Sequence, residues 1–152
     1  TMPKPTVAKV NGTAIGGGTG FLSACDIAIA SEEARFGLSE VKLGLVPAAI
    51  SPYVVRKIGE SKAREYFLTG VRINAPRAVE IGLVNECVPL QELDDRVAGL
   101  VDQLLTSGPE ALARCRSKAD AWNARIDLFL ALGGDWRTDP ADAGIPQEET
   151  GS

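Results

Sequence analysis

Histidine is absent from all 152 residues of this chain. That absence removes a block of chemistry at once: Ser-His-Asp and Cys-His nucleophile pairs, imidazole metal ligands and histidine general bases. Any proton moved by this chain must be carried by a carboxylate, Lys, Tyr, Cys or water. Cysteine is scarce as well. Cys25, Cys87 and Cys115 are odd in number and far apart, which suits neither a disulfide framework nor a zinc site, and no metal is expected. The expectation is three buried small hydrophobes and a reducing, cytoplasmic setting. No apolar run approaches the roughly 20 residues that a membrane span needs, and no signal-peptide pattern opens the chain. The net charge of −4 gives no reason to expect nucleic acid or an anionic membrane as a partner. Three nucleotide and hydrolase motifs are missing too. There is no G-x-x-x-x-G-K-[ST], no G-x-S-x-G, and Phe21 stands where a dinucleotide fingerprint needs its third glycine.

What is present centres on Val10 to Gly20, VNGTAIGGGTG. An apolar run, PTVAKV, precedes it and an apolar helical pattern, FLSACDIAIA, follows it, so the stretch reads as strand, glycine turn and helix start. Gly16, Gly17 and Gly18 allow backbone conformations closed to other residues and let a ligand come close. They also place unpaired N–H groups at a helix N-terminus, where the dipole favours negative charge. The turn is therefore an anion cradle, an oxyanion hole, or only a tight packing device. Asn11-Gly12-Thr13 matches a glycosylation acceptor, but nothing else in the chain suggests secretion.

The remaining elements follow from pattern. Thr6 to Val10 reads as a strand apolar on both faces, which expects neighbours on both sides and hints at chain upstream. Asp26 to Ala30 and Arg35 to Gly37 read as strands. Ser51-Pro52 opens a helix that stops at Gly59. Ser61 is expected to cap the next helix and Gly70 to end it. A short helix spans Ala75 to Ile81, a strand Leu83 to Val88, and a long amphipathic helix Leu90 to Thr106, with Pro109 starting another. Beyond Asp120 the pattern weakens, and the tail after Gly134 is polar and expected to be mobile. Arg56, Lys57, Arg64 and Lys62 gather at a helix–helix junction, either as a solvated face or as a site for ligand phosphates. Glu40, beside a turn with Lys42 as its one counter-charge nearby in sequence, reads from its residues alone as a solvated surface group.

Taken together, KPTVAKVNGTAIGGG, ACDIAIASEEARFGLSEVKLGLVP and IGESKAREYFLTGVRINAPRAVEIGLVNECVP resemble the enoyl-CoA hydratase/isomerase (crotonase) superfamily over about Lys4 to Lys118. The segment AISPYVVRKIG is similar to the bacterial methylglutaconyl-CoA hydratase-like branch. The resemblance implies an α/β fold, a partial crotonase (ClpP-like) spiral of ββα units, with residues 1–120 as core and the start of the C-terminal helices and 121–152 as a divergent tail. It implies an acyl-CoA thioester substrate with coenzyme A as part of that substrate and no other cofactor, and a homo-oligomer, trimeric or hexameric. Gly17 matches a backbone oxyanion donor, and Gly16, Gly18, Gly20 and Pro47 match substrate-binding positions. Glu40 matches the acid/base that serves the α-carbon. The family's second glutamate falls on Gly20, so that carboxylate is missing here. The family's N-terminal half, with the second oxyanion donor and much of the adenine pocket, is expected ahead of Lys4 and is not in this sequence. Hydratase, isomerase acting through Glu40 alone, and non-catalytic homologue all remain open at this point.

Overall fold

The apolar runs on either side of the glycine turn become neighbouring strands. The structure is a computed structural model that describes residues 4–119. β1 (Val7–Val10) and β3 (Ile27–Ser31) pair in parallel, with Val7 opposite Ile27 and Val10 opposite Ala30. β6 (Glu86–Val88) adds to the far side of β3, also in parallel. Parallel neighbours require a crossover, and the first is α1 (Gly17–Ala24), which carries the chain from β1 back to β3. β3 is the central strand. Ala28, Ile29, Ala30 and Ser31 are all buried, as a strand covered on both faces should be.

A second small sheet holds β2 (Ala14–Ile15), β4 (Arg35–Gly37) and β5 (Ile73–Asn74). β2 and β4 are parallel, with Ala14 opposite Phe36 and Ile15 opposite Gly37. β4 and β5 are antiparallel. Neither β2 nor β5 is visible as a strand in the sequence, because two residues are too few to show alternation. Phe36 of β4 is fully buried and anchors a core shared with Leu22, Leu38, Val54, Tyr66 and Leu83.

Helices pack around these sheets. α2 (Ser51–Ile58) buries Val54 and Ile58, α3 (Glu60–Thr69) buries Ala63 and Tyr66, and α4 (Ala75–Glu80) buries Ala75 and Ala78. α5 (Leu93–Leu105) follows a short 3-10 turn at Leu90–Glu92, so the expected helix at Leu90 begins one turn later. Asn74 caps α4 by accepting from the Arg77 N–H at 3.0 Å. Gly59, not Ser61, occupies the cap position of α3. Its φ of +78° makes the corner between α2 and α3, a conformation open to glycine at little cost. The expected strand from Leu83 shortens to β6 because Leu83 and Val84 bend into the core and donate to the Ala78 carbonyl.

The cysteines depart from expectation. Cys25 and Cys87 are half-buried and Cys115 is exposed, all as free thiols. Cys115 lies on a helix that begins at residue 109, between Arg114 and Arg116. Burial pushes the Cys87 thiol above its ordinary value, helped by the charges of Glu32 and Glu86. Among the described residues no helix is long and apolar enough to cross a membrane. The described residues up to Arg116 form one compact unit. The expected tail from 121 onward lies outside the described residues.

Candidate active site

The site is built where β2 hands the chain to α1. Gly16 sits at the cap position with φ +56° and ψ −119°, a conformation that side chains disfavour. Its N–H donates to the Gly37 carbonyl at 2.8 Å, which continues the β2–β4 pairing by one step. The first intrahelical bond runs from the Gly20 N–H to the Gly16 carbonyl at 3.0 Å. The N–H groups of Gly17, Gly18 and Thr19 therefore have no carbonyl one turn behind them in the helix. Gly17 and Gly18 are exposed, so their donors open outward at the positive end of the α1 dipole.

Thr19 holds this turn in place, and sequence reading missed it. Its hydroxyl proton lies between the Ala14 carbonyl at 2.8 Å and the Gly37 carbonyl at 3.0 Å, and the residue is 1% exposed. One side chain thus ties the start of α1 to both β2 and β4. The signal was weak: a threonine three residues into a helix reads as ordinary.

The β2–β4 register then brings in the carboxylate. Gly37 lies opposite Ile15, and three residues further on the chain enters a 3-10 turn, Glu40–Leu43, closed by Gly44 at φ +70°. A Cβ built on Gly16 would meet Glu40 Oε1 at 3.1 Å. The two halves of the candidate site, remote in sequence, therefore share one place. Glu40 Oε2 is buried and has no hydrogen-bond partner among the described residues. A buried oxygen left without a partner costs free energy, of order 1–3 kcal/mol and more when charged, so such atoms are rare and call for a reason. The expectation of a solvated surface Glu40 is overturned: the 3-10 turn points its carboxylate inward at the glycine turn.

Of the other expected site residues, Gly18 adjoins the turn, and a Cβ there would make ordinary contact with Ala14 at 3.6 Å. Gly20 is buried, and a side chain there would collide with Ile50. Pro47 serves the start of α2: its carbonyl accepts from the Ser51 N–H at 2.9 Å and the Ser51 hydroxyl at 2.6 Å. The structure thus unites Gly16, Gly17, Gly18 and Glu40, and it gives Gly20 and Pro47 visible packing and capping roles.

Lys57, Lys62 and Arg64 of the basic cluster each have a partner within the fold. Lys57 reaches the other end of α1, donating to the carbonyls of Cys25 at 2.9 Å and Asp26 at 3.4 Å. Burial pushes its ammonium below the ordinary lysine value, against the pull of Cys25 and Asp26. Lys62 pairs with Glu65 and Arg64 with Glu60, along α3 itself. Helical spacing turned these cations toward local carboxylates. Among the described residues there is no cluster of three or more His, Cys, Asp or Glu side chains that could hold a metal.

Chemically, the arrangement offers backbone donors for a developing oxyanion and one carboxylate next to them. Comparison with known proteins identifies the family. The family model for enoyl-CoA hydratase/isomerase matches residues 1–127. A hydroxycinnamoyl-CoA hydratase-lyase of Pseudomonas fluorescens is 42% identical over 136 residues, covering 84% of this chain and 49% of that protein. The crystal structure of an enoyl-CoA hydratase from Bacillus anthracis superposes with TM-score 0.77 at 32% identity, over 95% of this chain and 58% of that one. An enoyl-CoA hydratase from Shewanella pealeana gives TM-score 0.77 at 36% identity, over 93% and 55%. The chain spans about half the length of the curated relatives it matches. On the family match, the crotonase-type fold and the glycine-turn site, the chain belongs to the enoyl-CoA hydratase/isomerase family.

Proposed function

We propose that this site stabilises the enolate of an acyl-CoA thioester and that Glu40 moves the proton at its α-carbon, in an enoyl-CoA hydratase. The observation that carries the reading is the buried, unpartnered Oε2 of Glu40 beside the open N-terminus of α1. The thioester oxygen would accept from the Gly17 N–H, with Gly16 and Gly18 leaving room for the close approach. As the α-carbon gains or loses its proton, negative charge grows on that oxygen, and a fixed donor at a helix N-terminus stabilises it most at that moment. Coenzyme A enters as part of the substrate, and the chemistry asks for no further cofactor.

One carboxylate balances the hydration. Glu40 takes a proton from water as its oxygen bonds the β-carbon, and returns a proton to the α-carbon as the enolate collapses. The same carboxylate also suffices to move a double bond, by removing a proton from one carbon and returning it to another. The missing side chain at Gly20 favours that isomerase reading, because no second carboxylate helps to hold water. The segment AISPYVVRKIG supports a methylglutaconyl-type acyl group, and the family resemblance supports self-association of the chain.

The test is turnover of a panel of enoyl-CoA thioesters, including methylglutaconyl-CoA, with product identification and Glu40→Gln as control. Hydrated product that disappears in Glu40→Gln supports the hydratase; a shifted double bond selects the isomerase. A folded chain with no Glu40-dependent turnover refutes both for this chain.

A further inference from the structure

We infer that Ile50 is a specificity-determining residue of this site: it fills the space over Gly20 and forms an apolar wall against which an apolar acyl group of the thioester lies. The inference rests on the functional reading above and extends it to the acyl side.

The observation is steric. A Cβ built on Gly20 would overlap Cγ2 of Ile50, lie 2.5 Å from its Cβ and 3.4 Å from its Cδ1. No side chain fits at position 20 while Ile50 stays where it is. Gly20 is one turn along α1 from Gly16, as the 3.0 Å bond between them shows, and a Cβ on Gly16 would meet Glu40 Oε1 at 3.1 Å. Helical side chains lean toward the N-terminus, so any group at position 20 would project toward Glu40. Ile50 occupies that direction instead.

Ile50 is not free to withdraw. Its N–H donates to the Pro47 carbonyl at 3.2 Å, and its own carbonyl accepts from the N–H groups of Tyr53 and Val54, both at 3.1 Å. Val54 is fully buried in the core. Moving Ile50 would therefore unwind the first turn of α2. Position 20 is thus kept without a side chain, and the space over it is filled by hydrocarbon. A bound acyl group meets methyl groups there, and water there finds no side-chain partner on residue 20.

Two measurements test this, and neither needs turnover. The first is a thermal-stability cycle. Gly20→Ala is expected to lower the melting temperature by several degrees, and the double variant Gly20→Ala with Ile50→Ala to recover more than half of that loss. Equal loss in both backgrounds overturns the packing claim. The second is binding of saturated acyl-CoA thioesters, one short and linear and one bulky and branched, to the parent, Ile50→Val and Ile50→Ala chains. The branched-to-linear affinity ratio is expected to change by about tenfold in Ile50→Ala, the scale on which a hydrophobic pocket reads lost methylenes, and by less in Ile50→Val. An unchanged ratio in chains that do bind overturns the acyl assignment alone. No binding by any form overturns the functional reading and the acyl assignment together, while the stability cycle still decides the packing.

Discussion

The two ends of α1 are held in opposite ways. At its C-terminal end the polar groups are paired. Lys57 donates to the carbonyls of Cys25 and Asp26. The Asp26 carboxylate accepts from the Thr6 N–H at 2.6 Å, the Thr6 hydroxyl at 2.7 Å and Arg116 Nε at 3.0 Å, and Arg116 in turn donates to the Lys4 carbonyl at 2.9 Å. At the N-terminal end Gly17 and Gly18 are exposed, and a buried carboxylate oxygen of Glu40 has no partner among the described residues. One end uses its hydrogen-bonding capacity within the fold, and the other leaves donors open to solvent. Unsatisfied polar groups persist in a folded chain only where something outweighs their cost, and here they meet at one point.

That contrast can be broken at either end, with the largest effects at the N-terminal one. Glu40→Gln keeps the shape and removes the proposed acid/base. Turnover of enoyl-CoA should fall about 10³-fold, within the usual range for such groups, while the melting temperature holds or rises, because a neutral amide relieves the buried charge. A drop in melting temperature would mean that Glu40 serves the fold. Gly17→Pro is next. Proline suits the first position of a helix and only deletes the N–H, so stability should hold while turnover falls about 10²-fold, the cost of one oxyanion donor. Steady-state kinetics with a circular dichroism control would check both.

At the other end the effects should be smaller and of opposite kind. Asp26→Ala should cost about 1–2 kcal/mol of stability, discounted for its partial exposure, without changing kcat of the folded fraction. Its pH signature has a definite sign. Burial pushes the Asp26 carboxyl up, but the Thr6 bonds and Arg116 outweigh that and hold it below the ordinary range. A depressed carboxyl stabilises the fold above its unfolded value, near 3.9, and that contribution is lost as pH falls through the folded value. Chemical denaturation from pH 6 downward should therefore show acid lability in the parent that is diminished in Asp26→Ala. Lys57→Met, which keeps the hydrocarbon stem and drops the donor, should cost about 1 kcal/mol and leave Glu40-dependent turnover intact. Should Lys57→Met abolish turnover instead, the two ends of α1 would not be independent.

Local features were legible because neighbours in sequence impose them. The glycine run required a turn and a helix start, and the chain makes both at Gly16 and Gly17. The Arg35–Gly37 strand and the Ser51–Ile58 helix emerge with the expected limits, since alternation, an early proline and a terminal glycine are short-range signals. Helical spacing could have warned that Lys62 and Arg64 would find Glu65 and Glu60, but it said nothing of Lys57, whose partners lie on another element. Glu40 was legible only through resemblance; its residue context pointed to solvent.

The sequence by itself determined that these 152 residues offer no imidazole, that a glycine run opens α1, and that Glu40 is the one carboxylate matching the family's acid/base pattern. Only the tertiary structure decided that Glu40 meets Gly16, that Ile50 covers Gly20 and that Lys57 closes the far end of α1. Each of those meetings depends on the β2–β4 register or on α2 packing against α1. Such distances are fixed by the burial of Phe36, Val54 and Leu22 in a common core, which no local rule along the chain contains.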